Sequence, residues 1–119
     1  TSTGMSAVGL VLTLLSPGDT VIAAHDCYGG TQRLLRALGA KGHFAVQFVD
    51  LTTAAGVQTV ATSSARLVWV ETPSNPLLRI TDLRAIGVAA RAAGALLAVD
   101  NTFLTPALQR PLALGADIV

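Results

Sequence analysis

Cysteine is almost absent from this sequence: Cys27 stands alone. That excludes an internal disulfide framework, and with no pair of Cys or His at ligand spacing it argues against a zinc site. Charge is scarce as well. Only 13% of residues are charged, the net charge is +1, and the seven Arg and single Lys are scattered, which leaves no electrostatic footprint for nucleic acid or anionic lipid. Small molecules are therefore the expected ligands. Long hydrophobic runs are missing too: none approaches the roughly 18 consecutive apolar residues of a spanning helix, because the longest stretches carry Gly, Thr or Asp. No membrane partner is expected, and nothing in the sequence reads as a signal peptide, so the cytoplasm is the expected compartment.

What is present is apolar. Hydrophobic residues make up 51% of the sequence, high for a domain standing alone, so much of the surface is expected to be covered by further protein. The sequence opens on Thr1 without an initiator Met and closes on Asp117-Ile118-Val119, an apolar run that reads as the start of a strand. A piece of a larger protein is the expectation.

Segments of helical period alternate with short apolar runs bounded by turn residues, the pattern of an α/β fold with a mostly parallel sheet covered by helices on both faces. Gly4 to Leu15 reads as a buried helix capped by Ser2 or Thr3, with Met5, Val8, Leu12 and Leu15 on one stripe and Pro17-Gly18 as its stop. Strands are expected at Thr20–His25, His43–Val49, Leu67–Glu71 and Ala95–Val99. A helix is expected from Gly29 to Leu38 with Gly39 at its end, a weak one over Thr52–Thr62, and a clear one from a Thr81 or Asp82 cap to Ala93 with Gly94 as stop. The prolines of Pro73-Ser74-Asn75-Pro76 forbid continuation of helix or ladder there.

In an open parallel sheet, ligands bind outside the carboxyl ends of the strands. Those ends carry Asp26-Cys27-Tyr28-Gly29-Gly30, Glu71-Thr72-Pro73-Ser74-Asn75-Pro76 and Asp100-Asn101-Thr102-Phe103. The Ser2-Thr3-Gly4-Met5 turn heads a helix, where free N–H groups and the positive end of the helix suit a phosphate, although a plain helix cap explains the same residues. Tyr28, the only tyrosine, can stack on a planar ligand or pack a loop. Asp100 closes a buried strand, where a carboxylate needs a cationic partner such as a pyridinium nitrogen, or else caps the following turn. Asn75 is a good turn residue in its own right. Glu71, the only glutamate, reads as a structural acceptor for a loop backbone. His25 and His43 lack triad spacing, Cys27 reads as a packed thiol, and Lys41 sits in a polar turn.

Taken together, these cassettes, followed by Pro106-Ala107-Leu108-Gln109 and Pro111-Leu112-Ala113-Leu114-Gly115-Ala116-Asp117, resemble the cystathionine gamma-synthase family of pyridoxal-phosphate-dependent enzymes. The resemblance runs through the whole chain in order. It implies the aspartate-aminotransferase fold, with residues 1–119 forming part of the large, cofactor-binding domain. It also implies cofactor contacts: the Gly4 and Met5 backbone to the phosphate, Tyr28 on the pyridine ring, Asn75 at the phenolic oxygen, Asp100 at the protonated ring nitrogen, and Thr102 in support. The family further needs a lysine in a Ser-x-Thr-Lys motif shortly after the Gly-Ala-Asp segment, a carboxylate-binding arginine in a C-terminal domain, and a Tyr and Arg from a neighbouring subunit. None lies within these residues, so the chain alone is expected to be inactive. Thr3 stands where the family more often has Ser.

The Asp-Cys-Tyr-Gly-Gly segment and Pro76-Leu77-Leu78-Arg79 are most similar to the synthases, which replace the gamma-substituent of an activated homoserine with cysteine. Gamma-lyases and beta-lyases share nearly all the other motifs. The resemblance implies amino-acid substrates and a homo-oligomer, a tetramer built as a dimer of dimers. A remnant of the fold serving only as a structural or interaction module remains the alternative of another class. A nicotinamide-binding domain ranks last, because no Gly-x-Gly-x-x-Gly follows any strand.

Overall fold

Helices and strands alternate because Gly, Pro and capping residues punctuate the apolar runs at the right intervals. The computed structural model describes residues 1–119. Helix α1 spans Gly4–Leu12, β1 Thr20–Ala24, α2 Gly29–Ala40, β2 Ala45–Val49, α3 Ala54–Ala61, β3 Leu67–Glu71, α4 Leu83–Ala93 and β4 Leu96–Asp100. A short helix α5, Thr105–Leu108, and a 3-10 turn, Pro111–Leu114, follow.

The four strands are all parallel, in the order β2-β1-β3-β4. The chain first moves outward from β1 to β2, then returns across β1 to add β3 and β4. With right-handed crossovers this places α2 on one face and α3 and α4 on the other; α3 packs on α4, and α1 beside α2. The reversal makes the gap between β1 and β3 the topological switch point, the position at which open α/β sheets bind ligands. Ile118 pairs with Ala98 in parallel on the far side of β4. The core sits on both faces of β3, every residue of which is buried, with Ile22, Leu35, Ile86 and Leu97 fully enclosed.

Caps explain the helix starts. Thr3 accepts the Ser6 N–H at 3.1 Å, Thr53 accepts that of Gly56 at 3.0 Å, and Asp82 accepts those of Arg84 and Ala85. Gly94, at φ 69°, closes α4 in the left-handed conformation as its sequence position implied.

Several expectations need correction. Helix α1 stops at Leu12, three residues early, and only Val8 and Leu12 of it are buried, leaving Leu10 61% exposed. Helix α2 runs through Gly39 to Ala40 and turns only at Gly42, at φ 77°. A Cβ at Gly39 would lie 3.2 Å from Val46 Cγ2, so this glycine serves close packing of helix on strand rather than termination. Strand β2 begins at Ala45, two residues later than expected. No helix is long and apolar enough to cross a membrane.

Candidate functional site

The carboxyl ends of β1, β3 and β4 open on the same edge, and the residues just beyond them meet the head of α1. Tyr28, Glu71, Asn75, Asp100 and Thr102 line one cavity of about 320 Å³ together with Thr3, Gly4 and Met5. All six residues singled out as cofactor contacts, Gly4, Met5, Tyr28, Asn75, Asp100 and Thr102, are thus brought together. A second hollow of about 380 Å³ shares Gly4, Val8, Asp100 and Thr102 but is otherwise largely apolar, lined by Trp69, Val99, Ile118 and their neighbours. The Trp69 indole N–H finds no acceptor within the chain. The polar chemistry lies in the smaller cavity.

At the head of α1 the turn serves as a helix cap. Thr3 Oγ1 takes the Ser6 N–H and the Thr3 carbonyl takes that of Ala7. The Gly4 and Met5 N–H groups keep no acceptor in the chain, and they point out of the positive end of the helix. The turn thus caps the helix and leaves two N–H groups without an acceptor at the edge of the cavity.

Tyr28 is held at both ends. Its backbone N–H donates to Glu71 Oε2 at 2.6 Å across the switch point. Its ring lies over Gly30, where a Cβ would come within 2.6 Å of Tyr28 Cε1 and 2.9 Å of Met5 Sδ. The residue stays 46% exposed, so the ring is seated on glycine and still available to the cavity.

Asp100 ends β4 beside Glu71, its register partner on β3. Asp100 Oδ1 accepts the Thr102 N–H at 3.0 Å and the Thr102 hydroxyl, the turn-capping role that the sequence also allowed. These bonds use one carboxylate oxygen and leave Oδ2 free for another donor. Thr102 therefore supports Asp100 directly. Glu71 is 7% exposed. Burial raises its pKa above the ordinary glutamate value, with Asp100 and Asp26 pushing the same way and the N–H groups of Tyr28 and Asn75 opposing.

Asn75 arrives on the loop after β3, in which the Thr72–Pro73 and Asn75–Pro76 peptide bonds are cis. That loop is pinned from within by Ser74 N–H to the Arg79 carbonyl at 3.0 Å and Leu78 N–H to the Ser74 carbonyl at 2.8 Å. It is pinned from outside by the Ser74 hydroxyl on Asp26 Oδ2 at 2.7 Å. Arg79 completes the hold by donating to Asp50 Oδ2 at 2.7 Å and Thr52 Oγ1 at 2.6 Å, with His25 Nε2 at 3.2 Å. The Thr52 hydroxyl first and Arg79 second lower the Asp50 pKa to about 2. Nothing in the order of residues along the chain signalled this brace, because its members are 27 to 54 positions apart. Gln109, also unforeseen, exchanges hydrogen bonds with Asn101 and reaches the Thr72 carbonyl.

Cys27, Lys41 and His43 stay outside the cavity. Cys27 is buried and its thiol is pushed up to about 12, chiefly by desolvation, so it is an inert packed group. His43 and Lys41 are exposed beyond α2.

Residues 1–119 match the family described as Cys/Met metabolism PLP-dependent enzyme. The chain is 52% identical over 120 residues to cystathionine gamma-synthase of Escherichia coli (strain K12), covering 100% of this chain and 31% of that protein. It is 45% identical to a cystathionine beta-lyase of Lactococcus lactis subsp. cremoris over 118 residues, 99% of this chain and 31% of that protein. Among solved structures, cystathionine gamma synthase from Xanthomonas oryzae pv. oryzae, in complex with aminoacrylate and cysteine, superposes with a TM-score of 0.95. It is 58% identical, over 98% of this chain and 30% of that one. A cystathionine gamma lyase from Micromonospora echinospora superposes with a TM-score of 0.90 at 44% identity, over 98% of this chain and 31% of that one. The chain spans about a third of the length of these relatives. With a whole-length family match, the same fold and identities of 44–58%, the chain belongs to the Cys/Met metabolism family of pyridoxal-phosphate-dependent enzymes.

Proposed function

We propose that this chain forms part of the cofactor-binding domain of a cystathionine gamma-synthase, in which the sulfur of cysteine replaces the acyloxy group at the gamma-carbon of an O-acylhomoserine and that group leaves as the free carboxylate. The observation that carries the reading is the cavity at the switch point, which gathers two free helix-head N–H groups, a seated aromatic ring, an amide and a carboxylate with one free oxygen. Those groups fit pyridoxal phosphate. Gly4 and Met5 would hold the phosphate, Tyr28 would stack on the ring, Asn75 would meet the phenolic oxygen, and Asp100 Oδ2 would pair with the ring nitrogen. Bound there, the cofactor supplies an electron sink for the substrate's α-carbon. The chain's contribution is to orient the ring and, through the Asp100 charge, to keep a proton on its nitrogen. Thr102, donating to Asp100 Oδ1, would steady the carboxylate in that role.

The synthase reading is favoured over the lyases by identity, 52% and 58% with synthases against 40–45% with curated gamma- and beta-lyases. The alternative is gamma-lyase or beta-lyase activity in the same family. The exposed apolar side chains of Leu77, Leu78 and Ile80 beside the site support a homo-oligomer, and the absence of paired cysteines accords with a cytoplasmic enzyme. The experiment supplies the full polypeptide encoded by the gene with cofactor and either an O-acylhomoserine plus cysteine or cystathionine alone. Cystathionine formed from the first mixture supports the synthase. Ammonia and an oxo acid released from the second, with no reaction in the first, assigns a lyase. No cofactor binding in either would identify a remnant of the fold.

A further inference from the structure

Glu71 stands where a carboxylate is costly. It is 7% exposed, it ends a strand buried along its whole length, and Asp100 is its register partner. An uncharged residue would pack there at lower cost, so its contacts must account for it. The hydrogen bond it accepts comes from a backbone group of the cavity, the Tyr28 N–H at 2.6 Å. Tyr28 is the N-cap residue of α2 and takes no side-chain cap of its own. The contact joins the segment after β1 to the strand end of β3 across the switch point, over a sequence separation of 43 residues. The far end of Tyr28 rests on Gly30, where no side chain fits beneath the ring.

We propose that Glu71 is a positioning residue for the cavity: its carboxylate fixes the Tyr28 backbone, and thereby the angle at which the ring is presented above Gly30. Glu71 itself need not touch the ligand. The proposal rests on the cofactor reading for its ligand but not for its geometry, and the two fail separately.

Glu71→Ala removes acceptor and charge, whereas Glu71→Gln keeps an acceptor of the same size. In the full polypeptide without cofactor, amide hydrogen exchange at Tyr28 is expected to accelerate about tenfold or more in Glu71→Ala and less in Glu71→Gln, with the β1 amides unchanged. Affinity for pyridoxal phosphate, titrated by the change in its absorbance, is expected to fall about tenfold in Glu71→Ala and about threefold in Glu71→Gln. Because Glu71 acts through Tyr28, Glu71→Ala in a Tyr28→Ala background should weaken binding no further. Unchanged exchange at Tyr28, or losses that multiply in the double variant, would overturn the proposal. Should Glu71→Ala fail to fold, the cycle of Glu71→Gln with Tyr28→Ala decides by the same criterion. Should the unaltered protein not bind the cofactor, the functional reading falls, and the exchange measurement alone upholds or overturns the role of Glu71.

Discussion

At the scale of single residues, two carboxylates on neighbouring strand ends are asked to do opposite things. Asp100 keeps one oxygen free for a cationic partner, whereas Glu71 spends its charge on the Tyr28 N–H and is penalised by burial. The penalty has a sign that can be measured. The fold binds a proton on Glu71 more tightly than the unfolded chain does, so this group lowers stability progressively as pH rises above the ordinary glutamate value. Glu71→Gln, which mimics the protonated form, should raise Tm at neutral pH and lose that advantage on acidification; a uniform drop in Tm across the range would contradict this account. Asp100→Asn should behave otherwise. The amide matches the carboxylate in volume, so Tm should barely move. Removing the charge opposite the ring nitrogen should cost about 3 kcal/mol in the transition state, roughly a hundredfold in turnover of the full enzyme at saturating cofactor. Tyr28→Phe keeps the ring and should lose far less. Near-normal turnover in Asp100→Asn would reduce Asp100 to a turn cap.

At the scale of elements, the segment after β2 carries two separate constraints. The Asp50 carbonyl crowds α3 so closely that a Cβ at Gly56 would sit 2.0 Å from it. Gly56→Ala must therefore displace backbone, and a loss of about 3 kcal/mol in denaturant unfolding is expected. The Asp50 carboxylate meanwhile anchors Arg79 and with it the loop bearing Asn75. Its pKa is lowered to about 2 from 3.8 by the Thr52 hydroxyl and then Arg79, so its contribution is complete above about pH 4 and is lost as pH falls towards 2. Asp50→Asn should flatten that part of the acid limb of the unfolding curve. Added salt should weaken the Arg79 share alone, since that pair is partly exposed.

What the sequence disclosed about these elements follows from the range of each signal. Strand β3 and helix α4 were legible to within a residue or two because period, cap and stop all lie within them. The cavity was legible because each lining residue follows a strand or heads a helix. Gly39 misled, since its role is set by Val46 across the layer rather than by its neighbours in the chain. The contacts of Gln109 and the Arg79 brace were illegible for the same reason: their partners are chosen by the fold.

At the scale of the whole molecule, a high apolar content has to show on the outside somewhere. Leu10, Leu77, Leu78, Ile80, Leu108 and Leu112 are each more than 60% exposed, and isolated exposure of this kind is ordinary until it accumulates. The 119-residue chain by itself is therefore expected to self-associate with concentration, seen as a rising apparent mass in light scattering. A monomer stable at high concentration would show that these side chains are tolerated by water as they stand.

The order of the strands also has a consequence for biosynthesis. After β2, each new strand joins at one advancing edge, β3 onto β1, β4 onto β3, and Ile118 onto β4. A chain emerging from the ribosome can therefore settle each strand as it appears, without displacing any already paired. The cavity is completed last. The α1 head, Tyr28, Glu71 and Asn75 can assemble early, but Asp100 and Thr102, the final contributors to the lining, emerge only with β4. A nascent chain halted before Asp100 would present a nearly formed cradle without the carboxylate assigned to the ring nitrogen.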